Sequence, residues 1–214
     1  MQRSFEREIL DGNGVPEELV ARAYRELTTI HRLLGNTRYL IGVLRRDPQP
    51  VRRVLDVGCG RGEILKVVTR ALGVEGAGAD LSPGDATSAE IVKADAVRDL
   101  LPRVDVAYSV FVAHHLSDVE LIEMIRNVGR SCRRFILMDV VRARIPLVLF
   151  RTFVAPFVSP ITAADGQTSI RRAYTPRELG ALVERALAGT DAQFRHVVAA
   201  CGLRQVVDIT YAAR

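Results

Sequence analysis

Lysine is almost missing from this chain of 214 residues: of 30 basic residues only Lys66 and Lys93 are lysines. The net charge of +5 therefore rests on arginines, scattered among 25 acids and nowhere gathered into a basic block. That distribution is a compositional habit and not a nucleic-acid footprint, so no nucleic-acid partner is expected. Cysteine is limited to Cys59, Cys132 and Cys201, an odd number without a CxxC pair. Such spacing gives neither a disulfide framework nor a zinc site, and no metal is expected. Long apolar runs are lacking too: "IPLVLF" and "TFVAPFV" are interrupted by Arg151 and Pro156 and fall short of a transmembrane span. The opening stretch, MQRSFEREILDGNG, is charged throughout and has no apolar core of the kind a signal peptide needs, which predicts a cytoplasmic location.

What is present is one sizeable core and a regular rhythm. Hydrophobic residues make up 48% of the chain, enough for a single domain over 1–214. Residues 1–50 read as a helical preface, with "PEELVARAYRELTTIHRLL" repeating apolar positions at spacings of three and four and "RYLIGVLRR" after the break at "GNT". From 51 the rhythm changes to short apolar strands alternating with helices: "RRVLDVG" into "GEILKVVTRAL", "VEGAGADL" into "SPGDATSA", "EIVKAD" into "AVRDLLP", "VDVAYSVF" into "DVELIEMIRNVGR", then "RRFILMDVV". Strands without polar alternation need cover on both faces, which predicts an α/β, doubly wound, mostly parallel sheet. Residues 141–173 show no clear period. "YTPRELGALVERAL" restarts a helix, with Thr175 as cap and Pro176 in the first turn. "TDAQFRHVVAACG" reads as a short helix, its "FRHVV" ambiguous with strand, and "LRQVVDITYA" as a closing strand.

The glycines of "VLDVGCGRGEIL" lie between a strand and a helix, where a ligand can approach bare backbone and unpaired N–H groups. The pattern is Asp56-x-Gly58-x-Gly60-x-Gly62, with Glu63 where a dinucleotide fingerprint requires its last glycine. Two carboxylates beside the turn repel a pyrophosphate and suit a cation. S-adenosylmethionine, with its sulfonium and ammonium charges, meets that description. Asp80 follows Gly60 by 20 residues at the end of the second strand, where it can accept ribose hydroxyls, and Asp95 ends the third, where it can accept from an adenine amino group beside the Ala96 N–H.

Together these residues resemble the class I S-adenosylmethionine-dependent methyltransferase family, in its small-molecule branch. The resemblance runs from Val51 to Asp139 through "VLDVGCGRG", "GADLSP", "KADAVRDLLPRVDVAYSVFVAHHL" and "RRFILMDV". It implies a Rossmann-like sheet of six parallel strands and one antiparallel, a cofactor-binding core over 51–140, a substrate-side insertion over 141–173, and a C-terminal helix and strand over 174–214. It also implies a cofactor site made by Asp56, Gly58, Cys59, Gly60, Asp80, Leu81, Asp95, Ala96 and Val110, with Cys59 serving as a small residue. The family ends in two strands where this sequence shows one clearly.

His114 and His115 in "FVAHHL" are the candidate catalytic residues, because a hydroxyl acceptor needs a base and histidine titrates near neutrality. The alternative is that they cap the helix that follows. No Asn-Pro-Pro-Tyr-like run and no Pro-Cys pair follows the fourth strand, which favours a small molecule over a nucleic-acid base. The apolar content of 141–173 suggests a hydrophobic or aromatic acceptor methylated at oxygen, and His31, Arg32 and Tyr39 are further candidates to meet cofactor or substrate. A nicotinamide-dependent oxidoreductase and a non-catalytic S-adenosylmethionine-binding protein stand as alternatives.

Overall fold

Strands β1 (Arg53–Val57), β2 (Glu75–Asp80), β3 (Glu90–Lys93), β4 (Val106–Val110), β5 (Arg134–Val140), β6 (Gln193–Ala199) and β7 (Arg204–Thr210) form one sheet in the order β3-β2-β1-β4-β5-β7-β6. The computed structural model describes residues 1–12, 14–83 and 90–212. Strands β1 to β5 pair in parallel, whereas β7 runs antiparallel to both β5 and β6, so six strands share one direction. The order reverses between β1 and β4. In an open sheet that reversal opens a crevice beyond the strand carboxyl ends.

The central strands feed two cores because successive side chains point to opposite faces. Leu55, Val57, Ala107, Phe135 and Leu137 pack under helices α4 (Asp118–Val128) and α7 (Pro176–Leu187). Val54, Val106, Tyr108, Ile136 and Met138 pack under α2 (Asn36–Arg45) and α3 (Glu63–Leu72). Both faces are dry, which explains the absence of polar alternation in the strand sequences. Truncating a fully buried side chain such as Leu55 to alanine costs about 2–5 kcal/mol.

Helix α1 (Glu17–Leu33) completes the preface, and α5 (Arg144–Phe153) and α6 (Pro160–Arg172) lie between β5 and α7. Thr175 and Glu178 form a reciprocal capping box with Pro176 in the first turn, as the sequence predicts. Three expectations need correction. The stretch around "FRHVV" is strand β6 and not a helix, so the chain closes with a helix and two strands. Residues Gln193 to His196 alternate exposed and half-buried, a period of two that a helical reading of so short a segment obscures. Residues 141–173, aperiodic in sequence, hold α5 and α6, which pack on each other with the Phe150 ring in the space a Cβ at Gly166 would fill. Third, β3 stops at Lys93, and Asp95 lies in the turn beyond it. The stretch "SPGDATSA" lies mostly outside the described residues.

Candidate active site

The glycine turn follows β1 directly. Gly58 and Gly60 take φ of 74° and 54°, a left-handed conformation that other residues adopt at a cost. The space beside them is taken as well. A Cβ at Gly58 would stand 2.4 Å from Val112 Cγ2, and one at Gly60 3.1 Å from the Tyr24 ring. Val112 comes from the loop after β4 and Tyr24 from α1, so the turn is walled on two sides. Arg61 ties α1 to the turn by pairing with Glu17 and lying 5.2 Å from the Tyr24 ring centroid. Cys59 fills the gap left by Gly78, and burial raises its thiol pKa far above the ordinary range, consistent with a space-filling residue.

Three acids sit at the crevice in different states. Asp56 is buried on β1, and its Oδ2 has no hydrogen-bond partner among the described residues. Burial, joined by the nearby charge of Asp80, pushes its carboxyl up to about 8. Asp80, at the end of β2, accepts the Gly60 N–H at 2.7 Å and the Ser82 N–H at 2.8 Å. Asp95 accepts from the Val97 N–H and pairs with Arg98 at 2.7 Å, while its own N–H donates to Asp99. Ala96 follows it, its carbonyl held by Asn127. Leu81 is exposed beside Asp80, and Val110 is buried at the end of β4.

Phe111, the next residue, carries a φ of 59°, unusual for an aromatic side chain. Its N–H donates to the Met138 carbonyl, and its ring lies 4.7 Å from that of His31. Strain of this kind collects at binding sites. His31 is buried, its Nδ1 faces the Asn36 amide at 3.2 Å, and burial lowers its pKa to about 4, so it stays neutral. Tyr39 lies under the Arg204 guanidinium and Arg32 faces solvent, so of the three preface candidates His31 alone joins this wall.

His114 and His115 lie in a short turn after β4. They do not cap α4: Ser117 does, with Glu120 closing the capping box. His114 is buried between two carboxylates. Its Nδ1 lies 2.7 Å from Asp139 Oδ1 and its Nε2 3.4 Å from Glu8 Oε1, while its backbone N–H donates to Asp139 Oδ2 at 2.8 Å. Burial opposes its charge, but Asp139 and Glu8 prevail and push the pKa up to about 10. His115 is 29% exposed, with Nδ1 3.1 Å from Asp11 Oδ2 and Nε2 3.8 Å from Glu8 Oε1. Its ring centroid is 4.3 Å from that of His114.

Residues 1–11 bring Glu8 and Asp11 to this place by lying across α6. The buried Asp165 accepts the N–H groups of Ile9 and Leu10 at 2.7 and 3.0 Å, and Ser169 donates to Glu8 at 2.7 Å. Arg3 bonds the carbonyls of Arg172 and Leu116 and lies 3.7 Å from the Tyr174 ring centroid. Sequence reasoning missed Glu8, Asp11, Tyr24, Phe111 and Asp139 as site residues. Asp139 left a signal, a lone acid in the apolar strand "RFILMDV"; the others left none, because they meet the site only through the tertiary fold. A separate cavity of about 570 Å³, lined by Arg133, Phe194, Arg195 and Tyr211 among others, opens at the opposite edge of the sheet, away from the glycine turn.

Residues 21–186 match the family profile described as a methyltransferase domain. No curated protein matches the sequence. Among solved structures, the chain is similar to the plantazolicin methyltransferase BpumL in complex with SAH, at 13% identity and a TM-score of 0.71 over 95% of this chain and 93% of that one. It is similar to the mitomycin 7-O-methyltransferase MmcR at 19% identity and a TM-score of 0.55, over 76% of this chain and 49% of that one. A putative O-methyltransferase from Nostoc punctiforme PCC 73102 aligns at 14% identity and a TM-score of 0.58, over 83% of this chain and 56% of that one. The profile spans the glycine turn, the acids at the strand ends and the histidine pair, and by that match the chain belongs to the methyltransferase-domain family and is an S-adenosylmethionine-dependent methyltransferase.

Proposed function

We propose that the protein methylates a small hydrophobic or aromatic metabolite at a hydroxyl group. The cofactor supplies an electrophilic methyl on a sulfonium; the protein supplies alignment, exclusion of water and activation of the acceptor. The residues fit the cofactor. Asp56 offers a buried carboxyl oxygen without a partner, suited to the ammonium of the methionine end. Gly58 and Gly60 offer bare backbone there, with Cys59 packed behind them. Asp80 has lone pairs left beyond the two N–H groups it accepts, enough for ribose hydroxyls. Leu81, Asp95 and Ala96 are assigned to the adenine side and Val110 to the floor of the crevice.

The observation that carries the acceptor reading is the contact of Val112 with Gly58. It sets the histidine pair immediately beyond the wall of the glycine turn. His114 has both nitrogens engaged and holds its proton at neutral pH, so its part is to fix the pair in place. His115, half-open and oriented by Asp11, is the member placed to draw the hydroxyl proton. Oxygen as the site of methylation is supported by the names of two of the similar structures, MmcR and the Nostoc protein. The exposed apolar side chains of α5, Ile145, Val148 and Phe153, support a hydrophobic acceptor.

The test is methyl transfer from labelled S-adenosylmethionine to a panel of phenols and hydroxylated heteroaromatics, run beside their amine counterparts. Turnover on hydroxyls is expected, falling about 100-fold in His115→Ala with S-adenosylhomocysteine affinity unchanged. Transfer confined to amines, or full turnover in the variant, would overturn the reading.

A further inference from the structure

Glu8, His114 and His115 each turn a ligand atom toward the others, all within 4.8 Å, so the two imidazoles have only to close around Glu8 to share one cation. Glu8 Oε1 stands 3.4 Å from His114 Nε2 and 3.8 Å from His115 Nε2. A tetrahedral cation bound to nitrogen and oxygen at about 2.0–2.2 Å separates its ligands by about 3.3–3.5 Å. The first gap already has that length, and the second needs a few tenths of an ångström.

The surroundings are those of imidazole ligands held in place by carboxylates. Asp139 takes His114 Nδ1 at 2.7 Å and Asp11 faces His115 Nδ1 at 3.1 Å, which leaves both Nε2 atoms turned toward Glu8. Carboxylates on the far nitrogens fix tautomer and ring orientation and raise ligand basicity. The Ser169 hydroxyl holds Glu8 in the same way. Charge agrees as well: Glu8, Asp11 and Asp139 surround two imidazoles, while the Arg172 guanidinium is engaged with Asp11 at 3.3 Å and with the His115 carbonyl at 3.2 Å. Sequence spacing could not disclose the set, because Glu8 is more than a hundred residues from the histidines and reaches them through the segment laid across α6.

We propose that Glu8, His114 and His115 bind a divalent cation of the zinc class, through two imidazole nitrogens and one carboxylate oxygen, with a further position left for water or an acceptor oxygen. Such a donor set with an open position is that of a catalytic and not a structural cation. The proposal rests on the reading of the histidine pair as the place where the acceptor is activated, and changes how: a hydroxyl whose oxygen met the cation would be made more acidic and give its proton to solvent, with His115 a ligand in place of a base. Binding displaces the Nε2 proton that His114 otherwise holds between Glu8 and Asp139 and releases it to solvent, so cation and proton compete there and affinity falls as pH is lowered.

The experiment uses the untagged full chain carrying Cys201→Ser, because the exposed Cys201 thiol is a rival zinc ligand. Chelator-stripped protein is titrated calorimetrically with zinc chloride and, separately, with cobalt chloride while the visible spectrum is recorded. About one equivalent of zinc is expected to bind, with the intense visible absorption of four-coordinate cobalt. Affinity should fall by about 100-fold in Glu8→Gln and in His115→Ala and stay unchanged in His196→Ala, a remote histidine on β6, with circular dichroism confirming that each variant folds. Weak binding without cobalt colour, or binding unchanged in the two ligand variants, means an adventitious ion only and overturns the proposal; the three residues are then an ion-pair network that holds residues 1–11 down. Binding is read without cofactor or acceptor, so failure here and failure of the hydroxyl-methylation reading are separate results.

Discussion

Asp56 and Tyr108 are direct register partners on the parallel strands β1 and β4, and neither Asp56 Oδ2 nor the Tyr108 hydroxyl has a hydrogen-bond partner among the described residues. A buried carboxyl and a buried phenol side by side, both unsatisfied, are a costly arrangement at the point where the strand order reverses. A ligand cation turns that cost into affinity. On the proposed contact with the cofactor ammonium, the free protein holds Asp56 in the protonated state, the wrong one for a cation.

Cofactor binding should release a proton. Burial pushes Asp56 up to about 8, so at pH 7 it is protonated, while an ammonium placed beside it favours the carboxylate. Titration with S-adenosylhomocysteine in buffers of different ionisation enthalpy is expected to show about one proton released at pH 7, and affinity rising with pH until it levels above about 8. Asp56→Asn should remove the release and weaken binding by about 10-fold or more. A binding heat that does not depend on the buffer would contradict this role.

Tyr108→Phe probes the other half of the pair. Removing a hydroxyl that has no partner deletes no hydrogen bond, so the thermal midpoint of the free protein should stay the same or rise. A loss of more than about 1 kcal/mol in urea melts would mean that the hydroxyl is bonded in solution.

Gly58 and Val112 should couple. Gly58→Ala meets Val112 Cγ2 at 2.4 Å and also forces alanine to a φ of 74°. The single change should abolish measurable S-adenosylhomocysteine binding. Adding Val112→Ala removes the collision but not the backbone cost of about 1–2 kcal/mol, so the double variant should regain part of the affinity. Strictly additive losses in the four-variant cycle would show that the turn and the histidine loop are not in contact.

The contrast between Asp56 and Glu8 shows what a sequence discloses. Asp56, the glycines and Asp80 belong to one strand–helix–strand crossover, whose return to the neighbouring strand the sequence rhythm predicts, so the turn, the sheet and the cofactor class were all legible. Strand β6 was not, because a seven-residue run bounded by no glycine or proline fits helix and strand alike until β7 pairs with it. Helices α5 and α6 were hidden because α5 is only ten residues long with Pro146 in its first turn, and α6 buries Thr162 and Asp165 where an apolar stripe would be sought. Glu8 and Asp11 act at a distance set by Asp165 and Ser169 on α6, and no local pattern encodes such a meeting. The histidines were found for their chemistry, whereas the carboxylates that orient their rings were not.

His31 makes the preface acid-sensitive. Its pKa is about 4 in the fold against 6.5 in the unfolded chain, so between those values the unfolded state binds the extra proton. Stability from this residue is complete above pH 6.5 and lost as pH falls toward 4, by up to about 3 kcal/mol. Neutral His31 accepts at Nδ1 from Asn36 and lies against Phe111; a protonated ring would turn a donor toward that amide nitrogen and carry a charge into a buried site. His31→Gln, which keeps a polar partner for Asn36 without a titrating group, should cost some stability at pH 7 yet flatten the decline between pH 6.5 and 4.5. Urea melts of both proteins across that range decide the matter. Parallel curves would mean that His31 is solvated and free to titrate, and its contact with the strained Phe111 would then not be the closed wall described for this side of the site.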